Sequence, residues 1–236
     1  MSRAGVMPLD EAEKAIRDGH VRLDGRVVVE PLAPLTPTSK VTLDGHPVSL
    51  KWRTLVLMLN KPQGVISHGR DPEGGGTVFD ALRAVLPAEL LRIGWHAVGR
   101  LDRDTTGLLL FTNDERFVAH ATSPAMHLPK RYVAKVGMKV PNEKLEPLRR
   151  GVLIDDGEMT RPAKAKPRGE DSVELTLTEG RFHQVKRMLN AAGLPTLALH
   201  REAVGDLLVD VEIGAYRALT DEEIEVKLGF TPRSGF

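Results

Sequence analysis

GRLDRDTTGLLLFTND, residues 99–114, sets one carboxylate, Asp102, between Arg100 and Arg103 and then runs into four apolar residues, Leu108 to Phe111. The apolar run predicts a strand near the centre of a sheet, because a strand covered on both faces reads as continuous hydrophobicity. A carboxylate flanked by two guanidinium groups favours its ionised form, which suits a nucleophile or a base and not a general acid. Taken alone, the same residues suit a structural ion pair or a turn cap equally well. Asp104 is the internal competitor, since a strand-like backbone points residues two apart the same way.

Outward from this stretch, strands alternate with a few helices. RYVAKV (131–136), VELTLT (173–178) and TLVLML (54–59) read as strands. VFDALRAVL, 78–86, follows a Thr77-x-x-Asp80 capping box and predicts a helix burying Phe79, Leu82 and Leu86. FHQVKRMLNAAG, 182–193, carries Val185, Met188, Leu189 and Ala192 as an apolar stripe, with Gly193 suited to the C-terminal cap. His183 and Lys186 share the polar face of that helix, with Arg187 beside them.

A boundary is expected near residue 50, where APLTPTSK (33–40) and the turn DGHP (44–47) precede the first long apolar strand. Before it lie a helix over DEAEKAIRDG and two short strands around an Asp-Gly turn, a small helix-plus-hairpin module. We therefore read residues 1–50 as a small module, 51–230 as the main domain, and 231–236 as a tail, with GFTPRSGF (229–236) loose. GGG at 74–76 lacks the Gly-Lys-Ser/Thr of a phosphate-binding loop and reads as a mobile loop.

The composition excludes several chemistries. Zero cysteines rule out disulfides, thiolate metal ligands and cysteine nucleophiles. The eight histidines are scattered, and His120-x6-His127 fits no common zinc helix. No GxSxG, no GxGxxG after a strand and no paired carboxylates of glycosidase type occur. The first residues have no apolar core of signal-peptide length, and runs such as LVLML (55–59) are far shorter than a membrane span. The expectation is a cytoplasmic protein of bacterial type. Net charge is only +1, so any nucleic-acid contact rests on local basic runs: KRYVAK (130–135), RPAKAKPR (161–168) and RFHQVKR (181–187).

Five ordered stretches closely resemble the RsuA-like family of ribosomal RNA pseudouridine synthases: NKPQGVIS (60–67), GRLDRDTTGLLLFTND (99–114), KRYVAKV (130–136), EGRFHQVKRML (179–189) and LHREAVGDLLVDVEIGAYRALTDEEI (199–224). Residues 1–50 are similar to the small RNA-binding module shared with the ribosomal protein S-four family, with its first helix shortened. The resemblance implies an α+β fold: a pseudouridine synthase catalytic domain with a long mixed, largely antiparallel sheet, preceded by that module.

The resemblance also implies roles. Asp102 is the nucleophile on a target uridine, Tyr132 stacks on the flipped base, and Lys186 is the basic partner of Asp102. Arg100 displaces the base and fills the vacated stack, while Thr106 and Gly107 support the turn. Arg103, Thr106, Lys130, Arg181, His183, Gln184 and Arg187 are expected on the substrate or RNA side, and the basic runs at 130–135 and 161–168 on the RNA backbone. No cofactor and no metal are implied. FHQVKRM looks more like the synthases of small-subunit ribosomal RNA than the NRQVRRM-like strings of large-subunit enzymes. The implied partner is small-subunit ribosomal RNA or an assembling small subunit, bound by a monomer away from membranes. The alternatives are a large-subunit synthase, a non-catalytic RNA-binding assembly factor, and a carboxylate hydrolase of nucleosides, which lacks a second placed acid.

Overall fold

The computed structural model describes residues 1–36 and 38–234. Helix α1 (Leu9–Arg17) turns Ala12 inward and ends before Gly19. Strands β1 (Val21–Leu23) and β2 (Arg26–Val27) join through Asp24-Gly25, both left-handed at φ 50° and 85°. That pair of conformations matches the twist of a two-residue hairpin. Asp44-Gly45 repeats the device at φ 49° and 81° between β3 (Val41–Leu43) and β4 (His46–Pro47). The turn at 44–47 thus closes a second hairpin, and the four strands form one sheet in the order β2-β1-β3-β4.

The rest of the chain builds a nine-stranded sheet around β7 (Thr105–Thr112). In chain order its elements are β5 (Val56–Lys61), α2 (Val78–Arg83), α3 (Ala88–Leu91), β6 (His96–Val98), β7, α4 (Glu115–Thr122), β8 (Lys130–Lys135), α5 (Glu146–Arg150), β9 (Lys164–Pro167), β10 (Ser172–Leu177), α6 (Gln184–Ala191), β11 (Ala198–Val204), β12 (Leu207–Leu208), β13 (Tyr216–Ala218) and α7 (Asp221–Leu228). The main path runs β13-β5-β7-β11-β8-β10-β9. The β7–β11 pair is parallel and the other pairings are antiparallel, so the sheet is mixed and the fold α+β.

Period-two alternation divides the core. Val56, Met58, Leu108 and Leu110 face α4 and α7, whereas Leu57, Leu59, Leu109 and Phe111 face α2. A third cluster gathers β8, β10 and α6 around Leu175, Val185 and Met188. Each fully buried leucine adds about 2 kcal/mol of apolar transfer energy, so β7 is fixed from both sides.

One edge of β7 pairs with β5 from Gly107 to Thr112, but the other is divided. β11 pairs with Thr105–Gly107 and β6 with Leu110–Thr112, which opens the sheet between them. Gly107 permits the β11 approach: a Cβ there would lie 2.2 Å from Arg201 O, and its φ is 109°.

Three expectations change. Helix α6 starts at Gln184 and not at 182, because His183 takes a left-handed φ of 50° at its N-cap. The glycine-rich segment at 74–76 belongs to an anchored strap, described below. The chain end is not loose as far as Arg233, whose N–H donates to Thr54 Oγ1 at 2.8 Å and whose carbonyl accepts from Thr54 N at 2.9 Å. Its guanidinium stacks 4.9 Å over the Trp52 ring, which Arg3 also approaches. Gly235 and Phe236 lie outside the described residues.

Candidate active site

Asp102 sits on the tight turn that leads into β7, closed by Thr105 N–H donating to Asp102 O at 3.1 Å. The turn is clamped from beneath. Ser67 Oγ donates to Leu101 O at 2.8 Å and accepts from Leu101 N at 3.0 Å. Lys61, wholly buried, donates to Thr105 O at 2.8 Å and Pro62 O at 2.9 Å and reaches Arg103 O at 3.4 Å. Burial pulls its pKa down to about 8, against the raising charges of Asp104 and Asp102. The NKPQGVIS motif thus works on backbone carbonyls, a role its sequence alone did not reveal.

The partners of Asp102 are not the two flanking arginines. Lys186 Nζ lies 3.1 Å from Asp102 Oδ2, and His183 Nε2 lies 3.3 Å from Oδ1. The left-handed conformation of His183 keeps its ring out of the helix and beside the carboxylate. Lys186 also meets Asp104 Oδ1 at 2.5 Å. Burial lowers the Lys186 pKa, but the hydrogen bonds to Asp104 and Asp102 outweigh it and the net shift is upward. Asp104 is held below the usual carboxylate range, chiefly by that same bond. The two acids converge on one ammonium through a turn, where an extended strand was expected.

Arg103 points the other way. Its Nη2 lies 3.0 Å from both Asp71 Oδ2 and Glu73 Oε2, and the Asp71 side chain is 1% exposed. This pair ties the strap over residues 71–76 to the turn that carries Asp102, so Arg103 anchors one to the other. Gly75 makes the closure possible, since a Cβ would stand 2.4 Å from Asp71 Oδ2. Arg100 is exposed at the rim of the cleft and pairs with no carboxylate among the described residues.

The gap between β6 and β11 opens as a cleft of about 570 Å³, walled by Asp102, Tyr132, Leu110, Lys130, Arg201 and Phe182 among others. Tyr132 is half-buried on β8, against the cores on both sides. Phe182 is 68% exposed and stacks on His183, centroids 3.7 Å apart. Sequence reasoning had not singled out Phe182, Arg201, Lys61 or Asp71. Only the exposed aromatic within RFHQVKR offered a signal.

Other expected RNA-side residues are already engaged. Thr106 Oγ1 is 2.9 Å from His200 Nδ1. Gln184 is buried, its Oε1 accepting from Arg181 N at 2.9 Å and its amide meeting Glu179. Arg187 pairs with Asp155 and, at 2.9 Å, with Asp156. Arg181 lines the cleft but pairs with Glu158 at 3.2 Å. Much of the two basic runs is neutralised: Arg131 by Glu202, Lys135 by Asp171, Lys166 by Glu174 and Arg168 by Glu202. Lys130 remains open to the cleft. Among the described residues no group of three His, Asp or Glu side chains is placed to hold a metal ion, and no helix is long and apolar enough to cross a membrane.

Residues 55–191 match the family described as RNA pseudouridylate synthase. The chain is 38% identical over 216 residues to the ribosomal small subunit pseudouridine synthase A of Escherichia coli (strain K12), covering 90% of this chain and 91% of that one. It is 36% identical over 232 residues to the ribosomal large subunit pseudouridine synthase B of Bacillus subtilis (strain 168), covering 95% and 92%. Among solved structures, one titled as a pseudouridylate synthase superposes with a TM-score of 0.67 at 33% identity, over 96% of this chain and 95% of the other.

Proposed function

Because the chain belongs to the RNA pseudouridylate synthase family and is an isomerase of that kind, we propose that it converts one uridine of small-subunit ribosomal RNA to pseudouridine with Asp102 as nucleophile. The observation that carries this reading is the Asp102 carboxylate, held at the cleft by Lys186 at 3.1 Å and His183 at 3.3 Å. An ammonium so placed fixes the aim of the carboxylate, which a binding protein has no need of.

In this reading Asp102 bonds transiently to the uridine, the bond from C1′ to N1 breaks, a bond from C1′ to C5 of the same base replaces it, and the bond to Asp102 is released. N1 gains a proton and C5 loses one, so the atoms balance without an oxidant or reductant. A base inside folded RNA must first leave its stack, at a cost of about a few kcal/mol. Tyr132 offers its ring to the base in the cleft, and Arg100 at the rim offers a planar guanidinium to the vacated stack. The module within residues 1–50, a helix on a four-stranded sheet, adds an RNA contact of the ribosomal protein S-four type. All these groups come from one chain, so a monomer suffices.

Small-subunit RNA is favoured by the 38% identity to the Escherichia coli enzyme and by the FHQVKRM string. The large-subunit relative makes the choice a matter for experiment. Uridine tritiated at C5 loses its label when the new bond forms. Release from small-subunit ribosomal RNA, naked or partly assembled, and none from large-subunit RNA is the expected result; release from large-subunit RNA alone overturns the substrate assignment.

A further inference from the structure

Two cations at the floor of the cleft lack any carboxylate partner among the described residues. Arg201, on β11, is only 5% exposed. Its Nε donates to Leu108 O at 2.7 Å, where β7 passes from β11 to β6, and its Nη1 reaches Arg100 O only at 3.4 Å. Lys130, at the start of β8, lines the same cleft.

The strand geometry explains how both came to face inward. Along β8, Lys130 and Tyr132 share the cleft face while Arg131 turns away to Glu202 at 3.1 Å. A bulge between Arg201 and Ala203 sets Glu202 aside on that outer face, so the nearest acid is withdrawn from Arg201. Apart from Arg100 at the exposed rim, neighbouring charges in the cleft are matched: Arg181 has Glu158, and Asp102 has Lys186. Burial, and then the Arg201 charge, depresses the Lys130 pKa.

A desolvated guanidinium next to an ammonium is unfavourable until an anion arrives, and the bond to Leu108 O accounts for Nε alone. We propose that Arg201 and Lys130 form a subsite for one backbone phosphate of the bound RNA, adjacent to the nucleotide presented to Asp102. Arg201 supplies a planar fork for the phosphate oxygens and Lys130 a point charge. The contact to the carbonyl of Arg100, two residues before Asp102, sets the phosphate close to the reacting nucleotide. The subsite rests on the RNA reading given above.

The test measures binding of a small-subunit ribosomal RNA transcript by the full chain across a salt series, with uridine and uridine 5′-monophosphate as competitors. Wild type is expected to yield to the monophosphate at least about tenfold more readily than to uridine. Lys130→Gln should erase that preference and flatten the salt slope by roughly 0.7, the value for one lost single-strand phosphate contact. Arg201→Lys, which keeps the charge and loses the fork, should fall between. Lys227→Gln, whose amine pairs with Glu223 away from the cleft lining, should match wild type. Equal competition by both ligands in wild type, or an unchanged salt slope in Lys130→Gln, overturns the subsite. A protein that keeps the phosphate preference but releases no tritium from any ribosomal RNA would retain the subsite and lose the substrate reading.

Discussion

Lys186 Nζ bridges two carboxylates of the turn into β7, Asp102 at 3.1 Å and Asp104 at 2.5 Å. One ammonium on a packed helix thus holds both acids and fixes the direction of the Asp102 carboxylate. Lys186→Met leaves the carboxylates facing each other, and kcat should fall by about 100- to 1000-fold with a smaller change in KM. Lys186→Arg should restore part of the loss, since the charge survives in a different geometry. Steady-state kinetics on the RNA substrate decides it, and a Met variant of unchanged kcat would refute the bridging role.

Lys61 is expected to make stability depend on alkaline pH. Its folded pKa is about 8 and its ordinary value 10.5. Between the two, the unfolded chain binds the proton more tightly, so folding gains stability as pH rises through this window. Urea unfolding at several pH values should show that gain in wild type and lose it in Lys61→Met. The Met variant also leaves the Thr105 and Pro62 carbonyls without their donor, at a cost of about 1–3 kcal/mol. Parallel pH profiles for the two proteins would contradict this assignment.

The strap over residues 71–76 should matter for turnover although it carries no reacting group. Gly75→Ala forces a methyl against Asp71 Oδ2 and, at 2.9 Å, against Arg103 Nη1. Losing the Arg103–Asp71 pair should cost about 1–3 kcal/mol and lower kcat more than it raises KM, because the turn holding Asp102 loosens. A double-mutant cycle of Asp71→Asn with Arg103→Gln is expected to show coupling above about 0.5 kcal/mol. Full additivity, with kcat intact, would return the strap to a passive loop.

How much of this was legible beforehand follows from where each signal lies. The run Leu108 to Phe111 declared a central strand because burial on both faces removes polar residues from it. The Thr77–Asp80 capping box announced the start of α2 because both of its hydrogen bonds are local. The partner of Asp102 was legible twice: the resemblance named Lys186, and the apolar stripe of its helix leaves Lys186 on the polar side. The flanking arginines misled, since Arg103 is claimed by Asp71, 32 residues away, through a contact no local spacing encodes. Arg201 was hidden for the same reason, its place being set by a bulge and a parallel strand pairing far apart in the chain.

We propose Asp102, and not Asp104 on the same ammonium, as the group that performs the attack. Asp102→Asn and Asp104→Asn should be assayed side by side for tritium release from C5-labelled uridine in small-subunit ribosomal RNA, with folding checked by thermal denaturation. Asp102→Asn is expected to release no label, a loss of at least about a thousandfold, while Asp104→Asn keeps measurable turnover. Turnover by a folded Asp102→Asn protein, with Asp104→Asn inactive, would contradict the assignment and move the nucleophile to Asp104.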